Sequence, residues 1–235
     1  MSHDAHDGAP VRVRRYSGSA RINHWITGLS FVALTLSGLS LFHPTLYPLS
    51  ALFGGGGNVR WMHPWIGVVF AVGFLGLFLR FFVANLPERT DWQWLARIKH
   101  VLAGREEYLP EIGKYNAGQK FVFWSMVVLV PLMFVSGLGL WETGLVWVEQ
   151  TFGYKATIDQ RRLAAVVHAL AAILMIVIWI VHVYAAIWVR GTLSAMTRGS
   201  VTGGWAWRHH RKWLRQEVGA ADSGGKPPPK QQAAE

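Results

Sequence analysis

Four long apolar segments constrain the fold of this chain more than any other feature of its sequence. They occupy residues 22–42, 62–84, 121–140 and 163–189. A helix needs about 20 apolar residues to cross the hydrocarbon core of a bilayer. Backbone N–H and C=O groups find no water there, so an isolated spanning segment must satisfy them within its own helix. We therefore predict an all-α protein, an integral membrane four-helix bundle.

The composition agrees with a membrane domain, and changes in composition along the chain predict where this domain begins and ends. Only 15% of the 235 residues are charged and 51% are hydrophobic, whereas soluble domains carry about 25% charged residues. We predict a flexible N-terminal tail at residues 1–15 and a four-helix membrane domain at residues 16–217. The Gly- and Pro-rich residues 218–235 are predicted to form a disordered C-terminal tail.

The positive charges are distributed unevenly around the apolar segments. Of the 23 Lys and Arg residues, 18 lie before the first segment, between the second and third, or after the fourth, and Arg80 lies near the end of the second. The other two connections hold only Arg60, Lys155, Arg161 and Arg162. The positive-inside rule then predicts a multi-pass protein of the bacterial cytoplasmic (inner) membrane with cytoplasmic N- and C-termini. Anionic lipid head groups explain the basic charge better than nucleic acid does, so no nucleic-acid partner is predicted.

The sequence predicts the secondary structure of two of the connections between the apolar segments. In residues 90–104, Trp92, Leu95, Ile98 and Leu102 recur at steps of three and four. That period predicts one amphipathic helix on the inner membrane surface, capped by Thr90 or Asp91. The first outer connection, residues 43–61, contains the run GGGG and is predicted to be irregular.

The chain contains no cysteine. This excludes disulfides, thiolate-ligated iron–sulfur clusters and covalent c-type haem from the chain itself. Any redox cofactor must therefore be ligated by histidine or held without covalent ligation.

Four of the ten histidines lie in or at the ends of the apolar segments. His168 and His182 share the fourth segment, 14 residues apart. On one helix this is about 21 Å of rise and within about 40° of the same face. His24 begins the first segment at the inner side and His63 begins the second at the outer side. Matching depth therefore pairs His24 with His182, and His63 with His168.

Two histidines at each depth, without a carboxylate or cysteine, suit a six-coordinate b-type haem. The porphyrin supplies four equatorial nitrogens and the protein supplies the axial pair. A structural zinc site would usually need four protein ligands. Two other interpretations stay open: histidines bonded to neighbouring carbonyls, and a proton relay. Ionisable side chains within a membrane are costly and usually functional, which favours a site.

The remaining six histidines are predicted to play lesser parts. His43 could be an interface residue or a contact at the rim of the outer site. A solvated role is expected for His3, His6, His100, His209 and His210.

Four sequence motifs carry a resemblance to a known family. They are RINHW (21–25), MHPWIG (62–67), KYNAGQKFVFW (114–124) and HVYAAIWVRG (182–191). With the His168 and His182 pair, they resemble the cytochrome b (gamma) subunit of respiratory formate dehydrogenase. That subunit belongs to a wider group of cytochrome b subunits serving hydrogenases and thiosulfate reductases. The resemblance extends from about Arg15 to Arg215, and the KYNAGQK run favours formate dehydrogenase.

The resemblance implies cofactors and their ligands. It implies two haems b, an inner haem held by His24 and His182 and an outer haem held by His63 and His168. It also implies a menaquinone or ubiquinone site near the inner haem, formed by Asn116, Gly118, Gln119 and His182. Asn and Gln side chains can bond a quinone carbonyl and glycine permits close approach. From the residues alone, an ordinary helix start capped by Asn116 is the better explanation of this turn, and the resemblance favours the quinone site.

The resemblance further implies partners and a direction of electron flow. The partners would be an iron–sulfur beta subunit and a molybdenum or tungsten catalytic alpha subunit, with a possible higher oligomer of the heterotrimer. Electrons from periplasmic formate oxidation would cross both haems to the quinone pool. The alternatives are the cytochrome b subunit of a hydrogenase or thiosulfate reductase, and a cofactor-free membrane anchor or transporter.

Overall fold

A computed structural model describes residues 11–222 of the chain. The α-helices are α1 (Gly18–Phe42), α2 (Gly56–Phe81), α3 (Arg89–Ala96), α4 (Ile98–Leu102), α5 (Ala117–Leu138), α6 (Glu142–Phe152), α7 (Ile158–Trp188), α8 (Thr192–Thr197), α9 (Gly203–His209) and α10 (Arg211–Asp222). Short 3₁₀ helices occupy Pro44–Phe53, Val83–Asn85 and Glu106–Tyr108, and two strands are β1 (Arg12–Arg14) and β2 (Ser200–Thr202).

The four predicted spans are confirmed as helices α1, α2, α5 and α7. Each is long and apolar enough to cross a membrane. The all-α fold class is therefore confirmed for the described residues, whose two strands are only three residues each. Helix α7 carries both His168 and His182 without interruption over 31 residues, so their 14-residue spacing is a true helical spacing.

The first outer connection is more regular than predicted. Residues 44–53 form a 3₁₀ helix, and α2 already begins at Gly56 rather than near residue 62. The glycine run forms the turn between the two helices, because Gly54 and Gly55 have φ values of 81° and 102°, which other residues rarely adopt. The two glycines after them then join the helix.

The described residues divide into two compact units. The spanning unit consists of residues 18–82 and 121–188. The polar unit consists of residues 11–17, 83–120 and 189–222, and includes the first turn of α5. The three sections of the polar unit are those that the charge distribution places together on one side of the membrane. Their folding into one unit agrees with that placement.

The core of the spanning unit is apolar and lies midway along its helices. The buried residues are Phe31, Phe70, Leu129, Val130, Ala171 and Met175. Phe31 lies seven residues after His24, and Met175 lies seven residues from both His168 and His182. Aromatic packing continues to Trp179, whose ring centre is 5.7 Å from that of Phe31. Protein side chains therefore fill the space between the levels of the two histidine pairs.

Helices α1 and α2 approach each other closely where α2 lacks side chains. A Cβ atom at Gly73 would lie 2.7 Å from the Thr27 hydroxyl oxygen, and one at Gly76 would lie 2.6 Å from the Asn23 amide. Small residues commonly permit such close contacts between membrane helices. This contact fixes the first turns of α1, including His24, against α2.

The N-terminal prediction needs a correction in the polar unit. Residues 1–15 were expected to be a flexible tail, but Arg12–Arg14 forms strand β1, which pairs antiparallel with β2. Arg15 is only 5% exposed. The strand pairing joins segments almost 190 residues apart, which a local sequence pattern does not indicate. Residues 1–10 lie outside the described range.

The central connection also differs from its prediction. One helix was expected over residues 90–104, but α3 and α4 are separated at Arg97. The N-cap is Glu88 rather than Thr90 or Asp91, and Asp91 closes a capping box by accepting from the Glu88 N–H at 2.6 Å. The buried Lys120 ammonium lies 2.8 Å from Asp91, which holds α3 to the start of α5.

The C-terminal boundary lies later than predicted. Helix α10 continues to Asp222, so residues 218–222 are helical rather than part of a disordered tail. The predicted tail beyond residue 222 lies outside the described residues.

Candidate functional site

The four histidines of the spans form two close pairs in the spanning unit. The ring centres of His24 on α1 and His182 on α7 are 6.3 Å apart. Those of His63 on α2 and His168 on α7 are 6.4 Å apart. These are the pairs that matched depth predicts. Helix α7 contributes one histidine to each.

Both separations suit two imidazoles on opposite sides of one iron. A metal–imidazole bond is about 2 Å long and the nitrogen lies about 1 Å from the ring centre, so two such ligands have centres about 6 Å apart. Among residues 11–222, no group of three or more His, Asp or Glu side chains could hold a metal ion. The donor set therefore fits a haem, which brings its own equatorial nitrogens.

A serine on α1 contacts the Nδ1 of His63. The Ser37 Oγ lies 2.8 Å from the His63 Nδ1. The same Oγ donates its hydrogen to the Ala33 carbonyl at 2.7 Å. A hydroxyl has one hydrogen, so Ser37 accepts a hydrogen bond from Nδ1–H. The Nε2 lone pair of His63 is then free to bind a metal.

The same arrangement recurs between α5 and α7. The Ser136 Oγ lies 3.0 Å from the His168 Nδ1 and donates to the Leu132 carbonyl at 2.7 Å. His168 is therefore also held as the Nδ1–H tautomer. The two histidines of this pair therefore have matching serine partners, one on α1 and one on α5.

A glycine follows each of these serines. A Cβ atom at Gly38 would lie 3.3 Å from the His63 Cε1, and one at Gly137 would lie 3.1 Å from the His168 Cε1. Both separations are tighter than an ordinary carbon–carbon contact. Each imidazole thus rests against bare backbone and is positioned by it.

The sequence analysis missed Ser37 and Ser136. A signal was present, because the triplet Ser-Gly-Leu occurs at residues 37–39 and again at residues 136–138. In both copies the serine and glycine contact a histidine of the next spanning helix. A search for short repeats between the two helical hairpins would have found them.

The His24 and His182 pair has different surroundings. The Nδ1 of His24 is buried and has no hydrogen-bond partner within residues 11–222. A buried polar atom without a partner is costly, and His24 differs in this from the two outer histidines, whose Nδ1 atoms both have a partner. One turn later, no heavy atom lies within 4 Å of the Cβ position of Gly28. This open space beside His24 also fits a flat cofactor.

The predicted quinone residues lie at the start of α5, in the polar unit. Gln119 N–H donates to the Asn116 Oδ1 at 2.9 Å, and Asn116 N–H donates to the Gln119 Oε1 at 3.1 Å. These two reciprocal bonds form a capping box, so Asn116 caps the start of α5, as the residues alone predict. The two amide NH₂ groups take no part in the box. A Cβ atom at Gly118 would lie 3.5 Å from the Trp94 ring. His182 belongs to the spanning unit.

His210 contradicts the prediction of a solvated role. It is only 2% exposed. Its Nδ1 donates to the Gly113 carbonyl at 2.8 Å, and its Nε2 lies 3.3 Å from the Arg15 guanidinium. Burial, reinforced by the Arg15 charge, lowers the pKa of His210 to about 3, so the imidazole is neutral.

Arg15 is the centre of an aromatic cluster around His210. Its guanidinium donates to the Lys114 carbonyl. The guanidinium carbon lies within 4.7 to 6.0 Å of four ring centres, those of Trp213, Trp205, Tyr16 and Tyr115. Cation–π contact of this kind stabilises a desolvated arginine. The cluster joins all three sections of the polar unit.

Three other histidines make local contacts. The exposed His43 caps the 3₁₀ helix that follows it, because its Nδ1 accepts from the Thr45 N–H at 3.2 Å. The His100 ring stacks on Tyr108 with centres 4.8 Å apart. His209 is partly buried, and its Nδ1 lies 2.9 Å from the Glu106 carboxylate.

Comparison with known proteins adds to this geometry. The family model for prokaryotic cytochrome b561 matches residues 15–199. The chain is 37% identical to the formate dehydrogenase cytochrome b556(fdo) subunit of Escherichia coli strain K12 over 202 residues, 86% of this chain and 92% of that protein. It is 32% identical to the formate dehydrogenase cytochrome b556 subunit of Haemophilus influenzae, over 88% of this chain and 84% of that protein.

A relative with a different name is less similar. The probable Ni/Fe-hydrogenase B-type cytochrome subunit of Azotobacter vinelandii is 27% identical over 211 residues, 81% of this chain and 86% of that protein. Similarity is therefore graded among the relatives, and it is higher for those named as formate dehydrogenase subunits.

Proposed function

The chain belongs to the prokaryotic cytochrome b561 family of membrane cytochromes, and we propose that it is the dihaem subunit of a formate dehydrogenase. In this proposal it anchors the complex in the membrane and carries electrons from periplasmic formate oxidation to quinone. The observation that carries the proposal is the presence of two histidine pairs, 6.3 and 6.4 Å between ring centres, joined by one helix. The similarity to two formate dehydrogenase subunits supports the physiological donor.

The four histidines would hold two haems b. His24 and His182 would bind the inner haem, and His63 and His168 the outer haem. A bound haem supplies a one-electron couple of its iron. His168 and His182 are separated by 14 residues of α7, about 21 Å of helix rise, which is a large part of the roughly 30 Å hydrocarbon core. An electron passing between them therefore crosses most of the membrane.

The distribution of charge supports the direction of this transfer. The polar unit carries most of the Lys and Arg residues that the positive-inside rule assigns to the cytoplasm. His24 and His182 lie at the ends of α1 and α7 that continue into this unit. The inner haem is thus proposed to be cytoplasmic and the outer haem periplasmic, where an electron donor would dock.

Quinone reduction is proposed at the first turn of α5. The capping box fixes the orientation of the Asn116 and Gln119 side chains and leaves their NH₂ groups as donors. A quinone carbonyl accepts such bonds. A Cβ atom at Gly118 would lie 3.3 Å from the Asn116 Oδ1, so a larger residue at this position would press on the Asn116 side chain. The part of His182 in quinone binding stays a prediction from the family resemblance, as does the choice between menaquinone and ubiquinone.

The proposed partners are an iron–sulfur beta subunit and a molybdenum or tungsten catalytic alpha subunit. Electrons from a two-electron oxidation must be separated before they enter single-electron haems, and iron–sulfur clusters perform this step. The chain without cysteine cannot hold such clusters. Its complex must therefore obtain them from another subunit.

The haem content of the purified complex tests the proposal. Pyridine extraction and a reduced-minus-oxidised spectrum should give two haems b per chain, both reduced after formate is added. Fewer than two haems b would contradict the assignment of the ligands. If two haems are present but formate does not reduce them, the proposed electron donor is contradicted and the assignment of the histidine ligands is not.

Identification of the co-purifying subunits separates the two candidate donors. A molybdenum or tungsten protein is expected with formate as the electron source. A nickel–iron protein and reduction of the haems by hydrogen would favour the hydrogenase alternative, which the more distant Azotobacter relative represents.

A further inference from the structure

The hydroxyls of Ser37 and Ser136 form a matched pair around the outer histidines. We propose that they are positioning residues that lower the reduction potential of the outer haem and so favour electron transfer toward the inner haem. This inference rests on the proposed ligation of the outer haem by His63 and His168. It concerns two serines on different helices, each in contact with the nitrogen that faces away from the iron.

The direction of the two hydrogen bonds follows from the neighbouring carbonyls. Ser37 lies 2.7 Å from the Ala33 carbonyl, and Ser136 lies 2.7 Å from the Leu132 carbonyl. A carbonyl is only an acceptor, so the single hydroxyl hydrogen of each serine points there. The serine oxygen can then only accept from the imidazole. Both histidines consequently carry their proton on Nδ1 and present Nε2 to the cofactor.

An accepted hydrogen bond changes the ligand as well as its orientation. It withdraws the Nδ1 proton slightly and makes the imidazole a stronger electron donor through Nε2. Stronger donation stabilises ferric iron more than ferrous iron. The reduction potential of the haem is thereby lowered. Because both axial ligands carry such a bond, the two effects act in the same direction.

The inner pair lacks an equivalent bond at His24. The Nδ1 of His24 has no partner within the described residues, whereas both Nδ1 atoms of the outer pair have one. The two sites therefore differ in the basicity of their ligands. The outer haem becomes the more reducing of the two, which directs the electron inward.

The chain offers a matched control for these serines. Ser40 lies on the same helix as Ser37, is 3% exposed and donates to the Ser37 carbonyl at 2.7 Å. Like Ser37, it donates its hydroxyl hydrogen to a backbone carbonyl of its own helix. In the described part of the chain, however, Ser40 makes no hydrogen bond to a histidine. A Ser40→Ala variant thus removes a buried helical hydroxyl without removing an imidazole bond.

The test is a redox titration of the intact, membrane-extracted complex. The variants are Ser37→Ala, Ser136→Ala, their combination and Ser40→Ala, each followed through the α band and the low-spin EPR signals. The component that disappears in a His63→Ala variant identifies the outer haem.

Each serine replacement should raise the potential of the outer haem. One lost hydrogen bond should change its ferric-to-ferrous ratio at fixed potential by about three- to tenfold. The double variant should raise the potential of the outer haem further. Ser40→Ala should leave that potential unchanged, and the potential of the inner haem should be the same in all four variants. Should the double variant lose the outer haem, the single variants are to be titrated instead.

Three outcomes overturn the inference. They are unchanged outer-haem potentials and EPR g values in the serine variants, a fall in that potential, or an equal shift in Ser40→Ala. If the wild-type complex itself holds fewer than two haems b, the proposed function fails instead, so the two failures are distinguishable.

Discussion

The imidazole of His182 lies 6.3 Å from that of His24, measured between ring centres, while its own helix carries His168 to the other pair. Helix α7 thus supplies a histidine to both candidate haem sites, whereas α1 and α2 each supply a histidine to one. A change in α7 can affect either site, whereas a change at His24 or His63 should affect one. This asymmetry gives the histidine variants distinct expected results.

Replacing His182 with alanine should remove the inner haem and retain the outer one. The other ligand, His24, cannot hold a six-coordinate haem alone, and the outer pair lies about 21 Å away along α7. Pyridine extraction should fall from two haems b per chain to one. His43→Ala is the control and should retain both, because His43 caps a 3₁₀ helix. Retention of both haems in His182→Ala would show that the ligand assignment is wrong.

A methyl group at Gly137 should disturb the outer site. The added Cβ atom would lie 3.1 Å from the His168 Cε1, so the ring must move by a few tenths of an ångström. We expect a shifted low-spin EPR signal or reduced outer-haem content. Gly57→Ala is a suitable control, since nothing lies within 4 Å of its Cβ position. An unchanged signal in Gly137→Ala would mean that the helix backbone does not position His168.

The sequence predicts the spans and the histidine pairing because both depend on local patterns. Hydropathy over about 20 residues determines whether a helix can cross the bilayer. A 14-residue separation determines depth and face on one helix. The four helices and the proximity of His63 to His168 follow from these two rules, without information on how the helices pack.

The contacts of Ser37 and His210 could not be predicted in the same way. Ser37 meets His63 only because of the rotation of α1 about its axis relative to α2, and hydropathy that is nearly uniform around both helices does not specify it. His210 is buried because three distant sections fold together around Arg15. In the sequence, His210 is surrounded by Arg, Lys and Trp residues. This composition is typical of a segment exposed at a membrane surface. Three-residue strands such as β1 are also too short to show alternation.

Acidic variants of the α5 capping box separate quinone binding from helix stability. Asn116→Asp and Gln119→Glu keep the oxygen acceptors that cap the helix but remove the amide NH₂ donors. Thermal stability should therefore be preserved. The Kd of a quinone analogue should rise by about three- to tenfold for each lost hydrogen bond, measured by fluorescence quenching. Unchanged affinity, with unchanged stability, would restrict these two residues to their role as a cap.

Removal of the Lys120 charge should strongly destabilise the polar unit. Lys120 is 6% exposed and its ammonium lies 2.8 Å from Asp91 and 2.9 Å from the Leu86 carbonyl. Lys120→Met would leave a buried carboxylate unpaired, at a cost of about 3–5 kcal/mol. Lys212→Met breaks a half-exposed pair with Glu88 and should cost about 0–1 kcal/mol. Equal midpoints of thermal unfolding for both variants would contradict the buried pair.

The polar unit should lose stability as the pH falls below about 6.5. The pKa of His210 is lowered to about 3 in the folded protein from the 6.5 of an exposed imidazole. Between these values the unfolded chain binds a proton that the folded chain does not. The free energy of unfolding therefore decreases as the pH decreases through this window. The bond that the His210 Nε2 accepts from the Arg15 guanidinium requires the neutral ring, because protonation would remove the Nε2 lone pair.

A His210→Asn variant tests this origin of the pH dependence. Asparagine keeps one donor for the Gly113 carbonyl and has no proton to gain between pH 8 and pH 5. Its midpoint of thermal unfolding should be lower than that of the wild type at pH 8 but should fall less on acidification. His100→Asn serves as the control, since His100 stacks on Tyr108 away from Arg15, and it should keep the wild-type slope. A His210→Asn protein with the full wild-type slope would assign the acid sensitivity to other groups, of which the partly buried His209, with its pKa lowered to about 4, is the nearest in sequence.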